Sequence, residues 1–130
     1  MLARYQPEEA WRFLRHALES DIADIQGGTT AEGIHLGAMA GTVDIVLRCL
    51  TGMRARGPGL RFEPALPAEV KQLHFSVHYR GHRIDVELAE DHLRLSSRPG
   101  GALPIQLLVH DQTVELAPGQ AREIALERTP

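Results

Sequence analysis

LHFSVHYRGHRIDVEL, residues 73–88, decides the reading of the fold. Leu73, Phe75, Val77 and Tyr79 recur at every second position, with His74, Ser76 and His78 between them. After the turn signal RGH, the alternation resumes with Ile84, Val86 and Leu88. Successive side chains of a strand point to opposite faces, so a period of two predicts a hairpin with one buried and one solvated face. A slip of one residue would exchange those faces. The expected core therefore holds Phe75, Val77, Tyr79, Ile84 and Val86, with His74 and His78 turned to water.

The same pattern continues downstream. HLRL, PIQLLV, TVEL and REIAL follow in turn, separated by AED, RPGG, HDQ and APGQ. Leu93 and Leu95 extend the expected core. Short alternating strands joined by tight turns, with no helix between them, predict a small antiparallel β-sandwich over residues 57–130.

Upstream of RARGPG the period changes to that of a helix. PEEAWRFLRHALES has Pro7 at a first helical position, acidic Glu8 and Glu9 in the first turn, and Ala10, Phe13, Leu14, Ala17 and Leu18 on one stripe, which Trp11 widens. A second helix is expected to start at Thr29, where Thr29 and Glu32 have the spacing of a capping box, and to stop at Gly52. The fold class is thus α+β: a helical pair over residues 1–56 and then the sandwich. The faces formed by Trp11, Phe13, Leu14 and Leu18, and by Ile34, Leu36, Met39 and Val43, exceed what one small sheet can bury. An exposed apolar patch, covered by self-association or a partner, is expected.

The start of the second helix carries the most distinctive chemistry. In QGGTTAEGIHLGAMAGT, residues 26–42, Gly27 and Gly28 permit a turn that bares backbone N–H groups. Thr29 and Thr30 add hydroxyls at the positive end of the helix dipole, and His35 follows just over one turn into the expected helix. Free N–H groups, hydroxyls and that field suit an anion. The same residues also suit a well-capped helix with His35 buried. Gly33, Gly37 and Gly41, four apart, are expected to let another backbone approach closely.

Composition narrows the function classes. The chain has 130 residues, 43% hydrophobic and 24% charged, with a net charge of −3 and no basic stripe, so no nucleic-acid partner is expected. Its one cysteine, Cys49, excludes an internal disulfide and suits a reducing compartment. The start MLARYQPEEAW lacks the apolar core of a signal peptide, and His35, Asp44 and Arg48 interrupt the apolar run from Ile34 to Leu50. A cytoplasmic protein with no membrane span is expected. His74 and His78 stand about 13 Å apart along one strand, too far to share a metal, and no metal site or cofactor is expected.

DIADIQGGTTAEGIHLGAMAGTVDIVLRCLTG, residues 21–52, resembles the closing segment of the catalytic barrel in glycoside hydrolase family 65, the inverting α-glucoside phosphorylases with some hydrolases. LRFEPALPAEVKQLHFSVHYRGHRIDVEL, residues 60–88, is similar to the start of that family's C-terminal β-sandwich. The resemblance runs from about Ala17 to Leu126. It implies that the helices close an (α/α)6 barrel, that inorganic phosphate is a co-substrate beside an α-linked glucose disaccharide, and that Gly28, Thr29, Thr30 and His35 help hold the phosphate. No residue matches the family's general acid, and the capping role expected for Glu32 does not supply one. The resemblance thus implies a piece of an enzyme that lacks its catalytic barrel (a fragment, a truncated product or half of a split protein), inactive by itself. The alternative is a non-catalytic sandwich that packs on a partner or recognises sugar, with the helices as a docking surface.

Overall fold

The computed structural model describes residues 6–19, 23, 33, 35–57 and 59–126, and among these two helices precede eight strands. Helix α1 spans Pro7–Glu19 and α2 spans Leu36–Ile45, continuing as a π-helical turn over Val46–Leu50. The strands are β1 (Arg54–Arg56), β2 (Gly59–Phe62), β3 (Gln72–Tyr79), β4 (His82–Ala89), β5 (His92–Ser97), β6 (Ile105–Val109), β7 (Gln112–Leu116) and β8 (Ala121–Ala125).

The strands form two four-stranded sheets, ordered β1-β2-β6-β7 and β3-β4-β5-β8. Their inner faces meet in one core: Leu60, Phe62, Ile105, Leu107, Val109 and Leu116 from the first sheet, with Ile84, Val86, Leu88, Leu93, Leu95 and Ile124 from the second. Burying each such side chain contributes about 1.5–3 kcal/mol. The expected register holds. Val86 lies opposite Phe75 and Leu95, while His74 and His78 are exposed. Phe75, Val77 and Tyr79 pack against the core but are only half-buried, because β3 lies at a sheet edge.

Two features depart from the expected sandwich. It is not wholly antiparallel, because β2 pairs parallel with β6, Leu60 standing opposite Leu107. A parallel pair needs a crossover, and here the meander of β3, β4 and β5 supplies it. The first two strands also precede the first one expected, at LHFSVHY, and β1 falls within the segment expected to be helical. Arg56 stands opposite Gly59, and Gly57, just after β1, has a φ of +67°. Their brevity and the turn-forming letters RARGPG hid the alternation that marks the other strands.

Helix α1 begins at Pro7 as expected, whereas α2 ends where expected and begins elsewhere. Gly52 takes a φ of +63°, and a Cβ there would lie 2.2 Å from the Glu63 carbonyl oxygen, so only glycine fits. Beside it, the fully buried Thr51 donates its hydroxyl to the Leu47 carbonyl at 2.6 Å. The Glu63 and Ala65 amides then donate to the Thr51 and Leu50 carbonyls, at 3.2 and 2.8 Å. These bonds join the helix end to the segment that directly follows β2 of the first sheet. At the other end, Gly33 has a φ of +111°, and the helix starts at Leu36 rather than Thr29. The expected capping box lies outside the described residues. Gly37 and Gly41 are helical, but a Cβ on either would meet nothing within 4 Å, so the expected close approach does not occur among the described residues.

Candidate functional site

The expected anion site sits at the head of α2. Of its four residues, Gly28, Thr29 and Thr30 lie outside the described residues, and His35 lies within them. His35 is not a turn inside the helix. It is the N-cap residue, with φ −81° and ψ 88°, and its carbonyl accepts the Met39 amide at 3.1 Å. The histidine is exposed rather than buried. Three consequences are chemical. The imidazole borders the first turn, its side chain forms no capping hydrogen bond to that turn, and the N–H groups at a helix start carry the positive end of the dipole. Gly33, two residues earlier, turns the chain with a conformation that other residues rarely adopt.

What holds this helix in place is limited. Leu14 and Ala10 of α1 are buried, and Thr42 of α2 is buried with its hydroxyl donating to the Met39 carbonyl at 2.7 Å. Trp11, Ala17 and Met39 are half-buried, and the rest of the described stripe is open: Phe13 is 52% exposed, Leu36 73% and Val43 59%, and Leu18 is exposed too. Arg12 lies over the Phe13 ring at 5.2 Å. The expected apolar patch is therefore present, built by both helices. No described helix is long and apolar enough to cross a membrane.

The sandwich carries polar chemistry of its own. On the outer face of the second sheet, Asp85 accepts the Ser76 hydroxyl at 2.5 Å and the Arg98 Nε–H at 3.3 Å. The serine hydroxyl, then the charges of Arg98 and Arg83, hold its carboxyl below the usual value. Nearby, the Asp91 carboxylate bonds the His92 ring at 2.6 Å and, helped by Glu123 and Glu87, holds that imidazole above its usual value. Inside the sandwich, His82 is 2% exposed between the Ser97 hydroxyl, 2.7 Å from Nδ1, and the Leu103 carbonyl, 2.9 Å from Nε2. A carbonyl only accepts, so in the neutral ring Nε2 carries the proton and the serine donates to Nδ1. Parity with Ile84 and Val86 was the signal that His82 points inward, and the turn beside it masked that signal. Among the described residues no group of three or more metal-ligating side chains is placed to hold an ion.

Residues 53–116 match the model described as Glycosyl hydrolase family 65, C-terminal domain. A glycosyl hydrolase of Mycobacterium tuberculosis, itself uncharacterized, is 37% identical over 128 residues, covering 98% of this chain and 10% of that protein. The trehalose 6-phosphate phosphorylase of Lactococcus lactis is 33% identical over 112 residues, 86% of this chain and 14% of that one. A solved structure ascribed to a kojibiose phosphorylase, from human microbiome, superposes with a TM-score of 0.79 at 18% identity, over 92% of this chain and 17% of that one. That likeness is one of fold. The chain spans about a tenth of the length of the first curated relatives it matches.

Proposed function

Because this chain belongs to glycosyl hydrolase family 65, as its C-terminal portion, we propose that it serves a cytoplasmic, phosphorylase-like carbohydrate enzyme by helping to hold inorganic phosphate. Gly28, Thr29, Thr30 and His35 are the proposed contacts. One observation carries this reading. A match of 112 residues in a chain of 130 necessarily includes residues 19–112, so the similarity to trehalose 6-phosphate phosphorylase runs through GGTTAEGIH. The helix beginning right after His35 supports it, since its dipole favours a negative charge at that place.

In such a reaction phosphate attacks the anomeric carbon of an α-linked glucose disaccharide while an acid protonates the departing oxygen, and the configuration inverts. This chain's share is to orient the nucleophile. The general acid belongs to a catalytic barrel, and the open faces of Phe13, Leu18, Leu36 and Val43 are proposed to pack against that barrel.

Titration of the labelled chain with inorganic phosphate, followed by NMR, tests the site. Saturable shifts of the Thr29 and Thr30 amides and of the His35 ring protons are expected. Binding should be weak, because an open site lets water compete. If these resonances stay still while phosphate reaches high millimolar concentrations, the proposed contacts are wrong.

A further inference from the structure

The outer face of the second sheet is not flat. Pairing aligns three cross-strand rows on β3, β4 and β5: His78, Arg83 and Arg98; then Ser76, Asp85 and Ser96; then His74, Glu87 and Arg94. The middle row is short and the outer two are long. A trough of about 340 Å³ runs across the strands, floored by the serine row and bounded on one side by His74, Glu87 and Arg94, while the row of His78, Arg83 and Arg98 stands beyond its lining. Ala121 of β8 stands opposite Ser96 and continues the low floor to the fourth strand. At ~4.8 Å between strands the floor is about 14 Å long, and at ~3.3 Å per residue the two outer rows stand about 13 Å apart.

We propose that this trough binds a neutral carbohydrate through its hydroxyl groups. Four observations carry the assignment. The carboxylate of Asp85 is fixed in the floor by Ser76 and Arg98, leaving lone pairs directed to solvent as ready acceptors. Glu87, one row away, is likewise held by the Gln72 amide at 2.9 Å. Facing these acceptors are donors in want of a partner: the Arg94 guanidinium and the Ser96 hydroxyl form no hydrogen bond or ion pair among the described residues, although Glu87 and Glu123 flank Arg94 on the neighbouring strands. Finally, the lining mixes acids and bases, so neither an anion nor a cation is favoured over a neutral polyol. Fixed acceptors beside free donors, in an open and hydrophilic channel, match vicinal hydroxyls, each of which both donates and accepts. The proposal stands apart from the phosphate reading, because every residue of the trough belongs to the sandwich.

The test is an amide-shift titration of the full labelled chain with maltose, run in parallel with inorganic phosphate. Saturable millimolar shifts are expected at Ser76, Asp85, Glu87, Arg94 and Ser96 with maltose, and none there with phosphate. Arg94→Ala and Asp85→Asn, both on the solvent face, should keep the wild-type spectrum elsewhere and weaken maltose binding at least about tenfold. Ser96→Lys, which fills the floor, should abolish it. The proposal fails if no saturable shift appears at the trough. It also fails if all three variants bind like the wild type, or if phosphate or glycerol moves the same amides as strongly as maltose.

Discussion

The sandwich and the helical pair solve the same problem with different completeness. In the sandwich, each apolar strand face has a partner sheet, and twelve side chains close one core without help. The helices bury Ala10, Leu14 and Leu50 but leave Phe13, Leu18, Leu36 and Val43 in water. Helix α2, LGAMAGTVDI, is apolar on nearly every side, with Asp44 as its one charge, a composition suited to a helix covered all round. One region is a self-sufficient unit. The other is a surface, tied to it by the Thr51 and Gly52 joint. That difference places the expected phosphate residues on the less self-sufficient part and the proposed sugar trough on the more self-sufficient one.

The largest test of this contrast is Phe62→Ala. Its ring is fully buried between the sheets, and truncation should cost about 3–5 kcal/mol and melt all eight strands together. Chemical denaturation followed by backbone circular dichroism reads the loss. A variant that lost only the first sheet would break the picture of one core. Gly52→Ala addresses the joint. The left-handed backbone alone should cost about 1–3 kcal/mol, and the clash with the Glu63 carbonyl adds to it. Hydrogen exchange should then show α2 opening while the sandwich stays protected. Equal loss of protection in both would mean that the helices are not separable from the core.

Leu36→Glu probes the open surface. Sedimentation of the wild-type chain at micromolar concentration should reveal association, and the variant should be the more monomeric. Identical profiles for a fully monomeric wild type would argue that the apolar face needs no cover. Gly37→Ala and Gly41→Ala sharpen the same point with a smaller effect of opposite sign. With open space at both positions, each should stabilise the helix by roughly 0.5–1 kcal/mol. If activity in a complex with a catalytic barrel were lost as stability rose, the bare stripe would be a packing face for that barrel.

The smallest effects are those of pH. The His92 imidazole is held above its usual value of 6.5, so its pairing with Asp91 stabilises the fold fully below that value and is lost as pH rises through the raised one. His92→Gln should flatten the thermal midpoint across neutral pH. Asp85 has the opposite sense: its contribution is present above 3.8 and disappears as pH falls through the lowered value. Asp85→Asn should remove that acid limb only.

Much of this was legible in residue order because the decisive signals are local. Alternation in LHFSVHY and RIDVEL states which side chains share a face, and the structure keeps that register from Leu73 to Leu95. Pro7, Glu8 and Glu9 mark a helix start, and Gly52 marks a helix end, since each acts through its own backbone geometry. The beginning of α2 was misread for the same reason. A capping-box spacing at Thr29 and Glu32 is a local argument for a helix, yet Gly33 adopts a left-handed conformation and His35 becomes the N-cap.

Residue order by itself thus determined the strand faces, the α1 stripe, the stop at Gly52 and the resemblance that points to family 65. Tertiary structure alone decided the rest. Nothing in GLRF announces that it will lie parallel to IQLLV, because that pairing joins residues more than forty positions apart and depends on which sheet closes over the core. Nor does the spacing of Ser76, Asp85 and Ser96 along the chain disclose a trough. Alternation tells which way each side chain points, whereas the floor and walls exist only once three strands are set in register, side by side.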